Sequence, residues 1–587
     1  MILLRCHQNV TEKSLSCHLI FLPYAKFFNF FTHFEKRMKL SKLTFAIATV
    51  LTASVTTSAF AMVLYVDNKT KQLYTEAGPG RQILGSFEQV QEGIPAKSGG
   101  EVSELRGKIE LQDNQIKALE EHAKAGEEEG VVEIKKDGGI EFKSRDGNFK
   151  MAINGRMQVD SQSNVNQDLP GSGGGAANNP LGSGYAAGAA GMPATLNNGV
   201  ALRRGRLGVE GTFFKNTDYK FEYDFTRGNG LNAGGVTDAY IKQNFSKPFS
   251  IKFGAFKEPF SMEEATSNRY TTFIERNMAV NTFVDNLNTY KMGIGANYAE
   301  ERWQAATSLQ TEGVGGYNAY GNNALTGSTG SAINANGGVN RNGGGGDTSW
   351  EANARVGGMP WMESKTKFLH IGTSGSYINI NNNYKADGSY SNGGVIFANG
   401  LGGNVDRTSI LNTSNLTSGN KGVGLQAKYL TRYGAESALV YGPFSAQGEY
   451  IQTDVSGTGY HNESLSGYYG YMTYFLTGES RNYKSSTGAW DRIKPTRNFD
   501  MKGGWGAWEI ATGYDAINLN DGVIKGGRAS TAKLGVNWYL NPHVRVMANY
   551  VHALDINTGT PTAVSTANKS FNNADLDIIE TRIQLDW

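Results

Sequence analysis

Cysteine is scarce in this 587-residue chain, because both of its cysteines, Cys6 and Cys17, lie upstream of Met38. The residues that follow Met38 therefore offer neither a thiolate metal site nor a cysteine nucleophile. Avoiding stray thiols is typical of proteins exported to an oxidising compartment. The cysteine distribution thus indicates an exported protein.

Net charge and proline are also low. The formal net charge is +2, so bulk charge gives no reason to expect a nucleic-acid partner. Proline occurs 13 times, whereas glycine occurs 75 times and aromatics make up 11% of the chain. Disordered chains are poor in aromatics, so this composition favours many strands joined by glycine-rich loops.

Long hydrophobic runs are absent with one exception, which begins at Met38 and reads MKLSKLTFAIATVLTASVTTSAFA. Two lysines, an apolar run and a final Ala-Phe-Ala predict a signal peptide over 38–61. The run is too short for a transmembrane anchor, which excludes a helical membrane protein. A transmembrane β-barrel stays possible because half of each barrel strand is polar. Residues 1–37 are then predicted to be a non-native upstream extension.

The next segment, residues 62–100, is predicted to form a small strand–turn element followed by a polar linker. Asp67-Asn68 and Pro79-Gly80 are its turn signals. We expect the mature protein to begin near Met62.

Residues 101–125 contain apolar side chains spaced alternately by three and four residues. These seam positions are Val102, Leu105, Ile109, Gln112, Ile116, Leu119 and Ala123. A lone amphipathic helix is one interpretation, but the regular spacing favours a short oligomerising coiled coil.

From about Val131 onward the pattern changes to a period of two. The stretch Tyr219 to Thr226, YKFEYDFT, puts aromatics on one face of a strand and polar or charged side chains on the other. This alternation fits a water-soluble sheet with its aromatics inside, and it equally fits a membrane barrel with its aromatics facing lipid.

The connections between the strands favour the barrel. Tight turns are predicted at 215–217, 246–248 and 541–543, whereas 162–198, 313–347 and 381–420 are long and rich in Gly, Asn, Ser and Ala. Short turns at one end and long loops at the other are typical of outer-membrane barrels, whose turns lie in the periplasm.

The final stretch, IIETRIQLDW, alternates to the last residue and resembles the closing strand of bacterial outer-membrane barrels. Such an apolar row would invite aggregation at an open edge in water, whereas in a closed barrel it pairs with the first strand. We therefore expect an all-β transmembrane barrel over 131–587 in the bacterial outer membrane.

Several longer blocks carry a family resemblance. They are FGAFKEPFSMEEATSNRYTTFIERN from Phe253, FSAQGEYI from Phe444, SGYYGYMTYFLTGESRNYK from Ser466, GAWEI from Gly506 and LGVNWYLNPHVRVMANYV from Leu534. Together they resemble the phosphate-selective porins O and P, over essentially Gly138 to Trp587. The resemblance implies a homotrimer of sixteen-stranded antiparallel barrels. It also implies a water-filled channel for small anions, in some members phosphate or polyphosphate. The helical segment would then be periplasmic.

The resemblance also implies which residues line the anion pathway. The positions that match are Arg156 in NGRMQ, Arg203 and Arg204 in RRGR, Asp238 in TDAYI, and Arg269 on a loop that folds into the lumen. Arg269 stands where a lysine is familiar. Two features depart from the family pattern: Arg206 replaces an expected aromatic, and the heptad segment is not general.

Strand parity gives an independent view of the arginines. Arg156, Arg204 and Arg206 have lumen parity, whereas Arg203 shares the parity of lipid-facing residues and must lie at a rim, in a bulge or in a loop. Guanidinium groups offer forked donors to oxyanions. The alternative is that these arginines form ordinary ion pairs with Glu210, Glu222, Asp224 and Asp238, as in a non-selective general porin.

An enzyme is not expected, and we predict no catalytic residue, metal site or cofactor. The five histidines beyond the signal peptide show no metal-ligand spacing: His122, His370, His461, His543 and His552. We expect His122 and His543 to be exposed and His552 to face the lumen or the rim. Another class of protein, a barrel-anchored surface adhesin or envelope-tethering protein, is the remaining alternative.

Overall fold

The computed structural model describes residues 3–8, 15–20, 62–67, 73–87, 107–118, 131–134, 139–169, 195–226, 235–285, 290–313, 349–380, 395–401, 405–406, 408–414, 416, 424–559 and 571–587. The chain divides into two compact units, Met1–Ala118 and Leu119–Trp587. Among the described residues, no helix has the length and apolar character needed to cross a membrane. The predicted signal peptide lies outside these ranges.

The described residues of the first unit form five short strands and one helix. Strands β1 (Leu3–Gln8) and β2 (Leu15–Ile20) form an antiparallel pair. Strands β3 (Met62–Asp67), β4 (Leu73–Tyr74) and β5 (Arg81–Phe87) form a sheet in the order β4-β3-β5. Helix α1 spans 107–118, within the heptad segment, and the ends of the predicted seam lie outside the described residues.

The second unit is a closed antiparallel barrel of sixteen strands, which confirms the predicted fold class. The strands are β8 (Phe149–Asp168), β9 (Gly199–Phe213), β10 (Thr217–Asp224), β11 (Gly235–Asn244), β12 (Phe249–Lys257), β13 (Tyr290–Ala299), β14 (Trp303–Gly313), β15 (Trp350–Ser364), β16 (Lys367–Asn379), β19 (Gln426–Tyr441), β20 (Phe444–Thr458), β21 (Tyr460–Phe475), β24 (Ala507–Asp521), β25 (Ile524–Tyr539), β26 (Val544–Asn557) and β27 (Asp575–Asp586).

Smaller elements lie before the barrel strands and in their connections. A hairpin of β6 (Val131–Ile134) and β7 (Ile140–Lys143) extends the sheet beside the start of β8. Two further hairpins are formed by β17 (Ala398–Asn399) with β18 (Leu411–Asn412) and by β22 (Asn482–Lys484) with β23 (Ala489–Asp491). Helices α2 (Met262–Ala265) and α3 (Met278–Phe283) lie between β12 and β13.

The barrel closes where β27 pairs with β8, from Asp586 opposite Arg156 to Asp575 opposite Asp168. Beyond the strand, Gly155 and Trp587 exchange two backbone hydrogen bonds of 3.1 and 3.2 Å. A Cβ atom on Gly155 would lie 2.3 Å from the Trp587 ring, so only glycine fits at this position. The closure leaves neither edge of the sheet open.

The two faces of the wall follow the alternation seen in the sequence. In the YKFEYDFT stretch, Phe221 and Phe225 are 47% and 61% exposed on the outside, while Glu222 and Asp224 are buried within the lumen. The aromatics therefore face lipid and the charged groups face inward, as the barrel interpretation requires.

The connections follow the predicted asymmetry with one important exception. Turns at 214–216, 245–248 and 540–543 are tight, as expected, and lie at the same end of the barrel. At that same end, however, β21 and β24 are joined by a 476–506 segment that carries β22 and β23. The expectation of only short turns at this end is therefore wrong. At the opposite end, β20–β21 and β24–β25 turn tightly at Gly459 and at 522–523.

An apolar core fills part of the barrel interior. Phe260, Phe273, Met278 and Phe283 of the 258–285 loop are at most 2% exposed. They belong to one cluster with lumen-facing aliphatic residues of β16 and β19–β27, and with Val395, Phe397 and Leu411 of the 395–416 segment. Near the long-loop end, the described interior is thus mainly apolar along β16–β27, although Thr453 and Glu463 are also buried there, whereas β8–β15 present polar side chains such as Gln162, Gln310 and Asn353.

Candidate functional site

The 258–285 loop lies inside the barrel, where wall side chains hold its backbone. Arg545 donates to the Thr271 carbonyl at 2.8 Å and Arg582 donates to the Ile274 carbonyl at 2.7 Å. On the neighbouring strand β8, Gln158 donates to the Asn268 carbonyl at 3.0 Å. The SNRYTTFIERN stretch therefore lies inside the lumen against β26, β27 and β8, as the family resemblance implied for an inward-folding loop.

Carboxylates at the starts of α2 and α3 help to hold the loop in its inward fold. Ser261 has a positive φ of 64°, and its Oγ accepts from the Glu264 amide at 3.2 Å. Glu449 of β20 accepts from the Glu263 amide at 2.7 Å, so the wall satisfies a donor at the start of the helix. Glu263 in turn accepts from the amide and side chain of Asn277 at 3.1 and 2.8 Å.

A first arginine group lies on β8–β10. Glu222 contacts Arg156 at 3.0 Å and Arg206 at 2.9 Å, and Arg206 also contacts Asp224 at 2.7 Å. Arg206 donates to the Tyr290 hydroxyl at 2.9 Å, and Arg156 donates to the side-chain oxygen of Asn268 on the loop. The departure from the family pattern at Arg206 thus adds a cation directly to this group.

A second arginine group surrounds Glu275 of the loop. Arg203 donates to both oxygens of Glu275, at 3.2 and 3.1 Å, while Arg204 lies 3.7 Å and Arg582 lies 2.8 Å from its Oε1. Arg582 also forms a forked pair with Asp160, with both distances 2.7 Å. Burial opposes ionisation of Glu275, but the three arginines outweigh it and hold its pKa well below the ordinary value.

Arg203 reaches this group because β9 contains a bulge. Gln158 of β8 pairs with Arg204, whereas the next residue, Val159, pairs with Leu202, so Arg203 is the extra residue. Its side chain turns inward to Glu275, although its parity in a regular strand would point it to lipid. Of the three predicted possibilities, the structure has the bulge.

The other two predicted residues lie at the edge of the arginine groups. Arg269 is 3.9 Å from Glu222 and 3.6 Å from Asp586. Asp238 pairs with Lys220 at 2.9 Å, two residues along β10 from Glu222 and closer to the tight turn. The structure therefore places Asp238 beside the arginines and not among them.

Each of the five predicted arginines contacts at least one carboxylate, as the ion-pair interpretation expected for Glu222 and Asp224. Glu210 has no such contact among the described residues and is exposed. Within the described chain, the two arginine groups together hold seven arginines and five carboxylates. The arginines are Arg156, Arg203, Arg204, Arg206, Arg269, Arg492 and Arg582, and the carboxylates are Asp160, Glu222, Asp224, Glu275 and Asp586. Positive charge is in surplus.

Sequence reasoning missed a second segment that enters the lumen, residues 476–506. Arg355 of β15 donates to the carbonyls of Thr487 and Gly488 at 2.9 and 2.6 Å. The Trp490 ring is buried, and its backbone amide donates to Thr266 of the first loop at 3.2 Å. The length of this connection at the tight-turn end was the only signal in the sequence.

Sequence reasoning also missed a fully buried ion network on the opposite side of the loop. Glu258 lies 2.6 Å from Arg432 and 3.2 Å from Lys291, which lies 2.6 Å from Glu351. These side chains come from four separate parts of the chain, and their charges balance. The network anchors the start of the loop to β13, β15 and β19.

The loop also holds buried acids close to one another. Burial raises the pKa of Glu263 to about 7, against the partial opposition of Arg276. Burial also raises the pKa of Glu264, although Arg276 and Lys257 lie 2.9 and 2.5 Å from its oxygens. Glu263 is therefore a group whose charge changes near neutral pH.

The histidines partly depart from expectation. His370 is buried between Glu436 and Tyr483, with both contacts at 2.9 Å. His543 was expected to be exposed, but its Nδ1 lies 2.6 Å from the Asp586 carbonyl, because the 540–543 turn folds against the end of β27. His552 lies on the outer face near the rim, 2.8 Å from Asp577. His122 lies outside the described residues.

Comparison with known proteins identifies the family. The family model described as phosphate-selective porin O and P matches residues 193–587. This chain belongs to that family. Porin O of Pseudomonas aeruginosa is 28% identical over 443 residues, which cover 72% of this chain and 87% of that protein. The structure of OmpT, an outer-membrane protein of Vibrio cholerae, is 12% identical at a TM-score of 0.41, covering 75% of this chain and 98% of that one.

Family membership and the closed sixteen-stranded barrel identify the chain as a porin that crosses the outer membrane with its strands. The barrel arrangement explains how a chain with so few long apolar runs enters a bilayer, because each strand is apolar only on its outer face.

Proposed function

We propose that this porin carries small anions by diffusion through a water-filled channel across the bacterial outer membrane. The observation that supports the proposal best is the surplus of arginine over carboxylate at the level where the 258–285 loop crosses the lumen. A confined region of one sign raises the local concentration of counter-ions and repels ions of the same sign.

We further propose that oxyanions of the phosphate type are preferred over chloride. Arg203, Arg204 and Arg206 lie on β9 and belong to the two arginine groups. A guanidinium binds oxyanions through a planar fork, as Arg203 binds Glu275, so an arriving phosphate would compete with the carboxylates for these donors. The name of the relative Porin O gives no solute, but the family description does include phosphate selectivity.

The proposal includes a homotrimer with a periplasmic coiled coil. In α1, the seam residues Ile109 and Ile116 are 61% and 51% exposed. Three heptads are marginal as an isolated coiled coil, so association of the barrels must supply the local concentration that keeps the helices together.

A non-selective general porin is the second candidate, and one observation favours it. Every predicted arginine contacts a carboxylate, and paired charges produce a transverse field with little net selectivity. The two candidates differ only in whether the surplus positive charge reaches the diffusing ion.

Single-channel recording in planar bilayers separates the two candidates. In a KCl gradient we expect a reversal potential of the sign that chloride selectivity produces, and we expect added phosphate to reduce the chloride current. A reversal potential near zero would favour the general porin. Absence of any conductance would contradict both and would favour a barrel used as an anchor for an adhesin or envelope-tethering protein.

A further inference from the structure

Asp586, the last residue of β27, lies in the lumen where two inward-folded segments meet. Its side chain is 1% exposed. Arg492 of the 476–506 segment donates to both of its carboxylate oxygens, at 2.9 and 2.8 Å. Arg269 of the 258–285 loop approaches the same carboxylate, with Nε 3.6 Å from Oδ2. A single carboxylate thus contacts one arginine from each segment.

Neighbouring contacts restrict how these two arginines can move. Gln584 of β27 donates to the Arg269 carbonyl at 3.1 Å. The Arg492 guanidinium lies 5.5 Å from the ring centroid of Tyr270, and it also donates to the Pro542 carbonyl in the adjacent turn. A forked arginine–carboxylate pair has a fixed geometry, so Arg492 cannot shift without losing both hydrogen bonds.

The position of Asp586 connects it to the arginine groups. Asp586 is the cross-strand partner of Arg156, so both side chains face the same part of the lumen. Arg156 and Arg269 both contact Glu222. Asp586 therefore affects two things: the net charge that an ion meets at this level of the lumen, and the position of the Arg269 side chain.

We propose that Asp586 is a positioning residue that clasps the 258–285 loop to the 476–506 segment. In this arrangement it holds Arg269 beside the wall and reduces the positive surplus of the arginine groups. The expected direction of the selectivity change rests on the proposed anion channel, whereas the clasp itself does not.

Two variants of the full-length porin test the clasp from its two sides. Asp586→Asn removes a negative charge and Arg492→Gln removes a positive one, so the anion-to-cation permeability ratio should rise in the first and fall in the second. A unit charge acting through water over about 4–10 Å changes the local concentration of a monovalent ion roughly two- to fivefold, which sets the expected change in each ratio.

A merely electrostatic role would give those opposite shifts and nothing more. A clasp requires in addition that both variants increase hydrogen exchange in the 476–506 segment and in the 258–285 loop. It also requires that the double variant exchange no faster than Asp586→Asn alone, because Asp586→Asn already removes the carboxylate that both arginines contact. Unchanged exchange, or additive increases, would overturn the proposal.

Two controls keep the outcome interpretable. Arg497→Gln lies in the same segment, but Arg497 is 58% exposed and pairs with Asp500, so neither readout should change. Asp586 lies in the closing strand, so Asp586→Asn could prevent assembly of the barrel. In that case the hydrogen exchange of Arg492→Gln alone tests the clasp. A wild-type channel that selects cations would contradict the proposed function. Hydrogen exchange that fails to increase in both the 258–285 loop and the 476–506 segment would contradict the clasp.

Discussion

Replacing Arg204 and Arg206 together with Gln should sharply reduce anion preference. Both side chains are nearly buried in the lumen wall, at 4% and 8% exposure. Arg206 neutralises Asp224 at 2.7 Å and Glu222 at 2.9 Å, and Arg204 lies 3.7 Å from Glu275. The double variant therefore turns the surplus of seven arginines over five carboxylates into five of each.

The magnitude follows from the distance at which a hydrated ion passes these charges. One charge acting through water over about 4–10 Å alters a local monovalent ion concentration roughly two- to fivefold, so two charges alter it by roughly four- to twenty-five-fold. The effect should be greatest at low salt and should fade near 1 M, where the Debye length is about 3 Å. Reversal potentials in KCl gradients at several ionic strengths measure it.

Arg203 provides an internal comparison. A regular strand would point Arg203 to lipid, and Arg203→Gln would then have little effect on selectivity. The bulge turns it to Glu275 beside Arg204. We therefore expect Arg203→Gln to lower anion preference about as much as Arg204→Gln does.

The control for the double variant is Arg528→Gln. Arg528 is 59% exposed and pairs with Asp555, away from the arginine groups, so selectivity should be unchanged. Glu222 and Glu275 keep other arginine partners in the double variant, but Asp224 loses its arginine, and breaking a buried pair costs about 3–5 kcal/mol. Heat-dependent electrophoretic mobility should therefore be used to verify the folded barrel. A folded double variant with the wild-type reversal potential at low salt would refute this account of selectivity.

Three further predictions follow. Amino-terminal sequencing of outer-membrane material should begin near Met62, and peptides from residues 1–37 would contradict the predicted signal peptide. Replacing Ile109 and Ile116 with Asp should abolish crosslinking between helices while leaving channel conductance intact; loss of the barrel oligomer would show instead that the helix drives assembly. Because burial raises the Glu263 pKa to about 7, the folded loop keeps a proton that the unfolded loop loses near its ordinary value of 4.5. Stability of the 258–285 loop should therefore decrease as pH rises from about 4.5 to 7, and Glu263→Gln should remove this dependence in pH-corrected hydrogen exchange.

The strands and the direction of their side chains could be read from the sequence because alternation is a local property. Phe221 and Glu222 are neighbours in the chain and lie on opposite faces whatever the rest of the barrel does. The hairpin turns were likewise local, since 214–216 and 540–543 join strands that pair directly. The lumen parity of Arg156, Arg204 and Arg206 followed from the same pattern.

The features that escaped the sequence depend on partners far away in the chain. The bulge at Arg203 exists only relative to the register of β8, which the residues of β9 alone do not reveal. The inward path of 476–506 depends on Arg355, which lies over 100 residues earlier and holds its backbone. Glu275 gathers arginines from β9 and β27, so its role could not be read from IERN itself.

Because of the apolar core inside the barrel, the mouth of this channel is polar on one side and apolar on the other. Along β16–β27, near the long-loop end, the described interior is occupied mainly by packed aliphatic and aromatic side chains. Among the described residues, the polar side chains that a hydrated solute arriving from that end could meet are concentrated on β8–β15. At this end, the polar half of the wall contacts the solute, while the apolar half contributes packing that stabilises the fold. Substitutions at Leu430 or Ile451 should accordingly weaken the protein without retuning what it transports, and the polar half is where solute preference can change during evolution or by engineering.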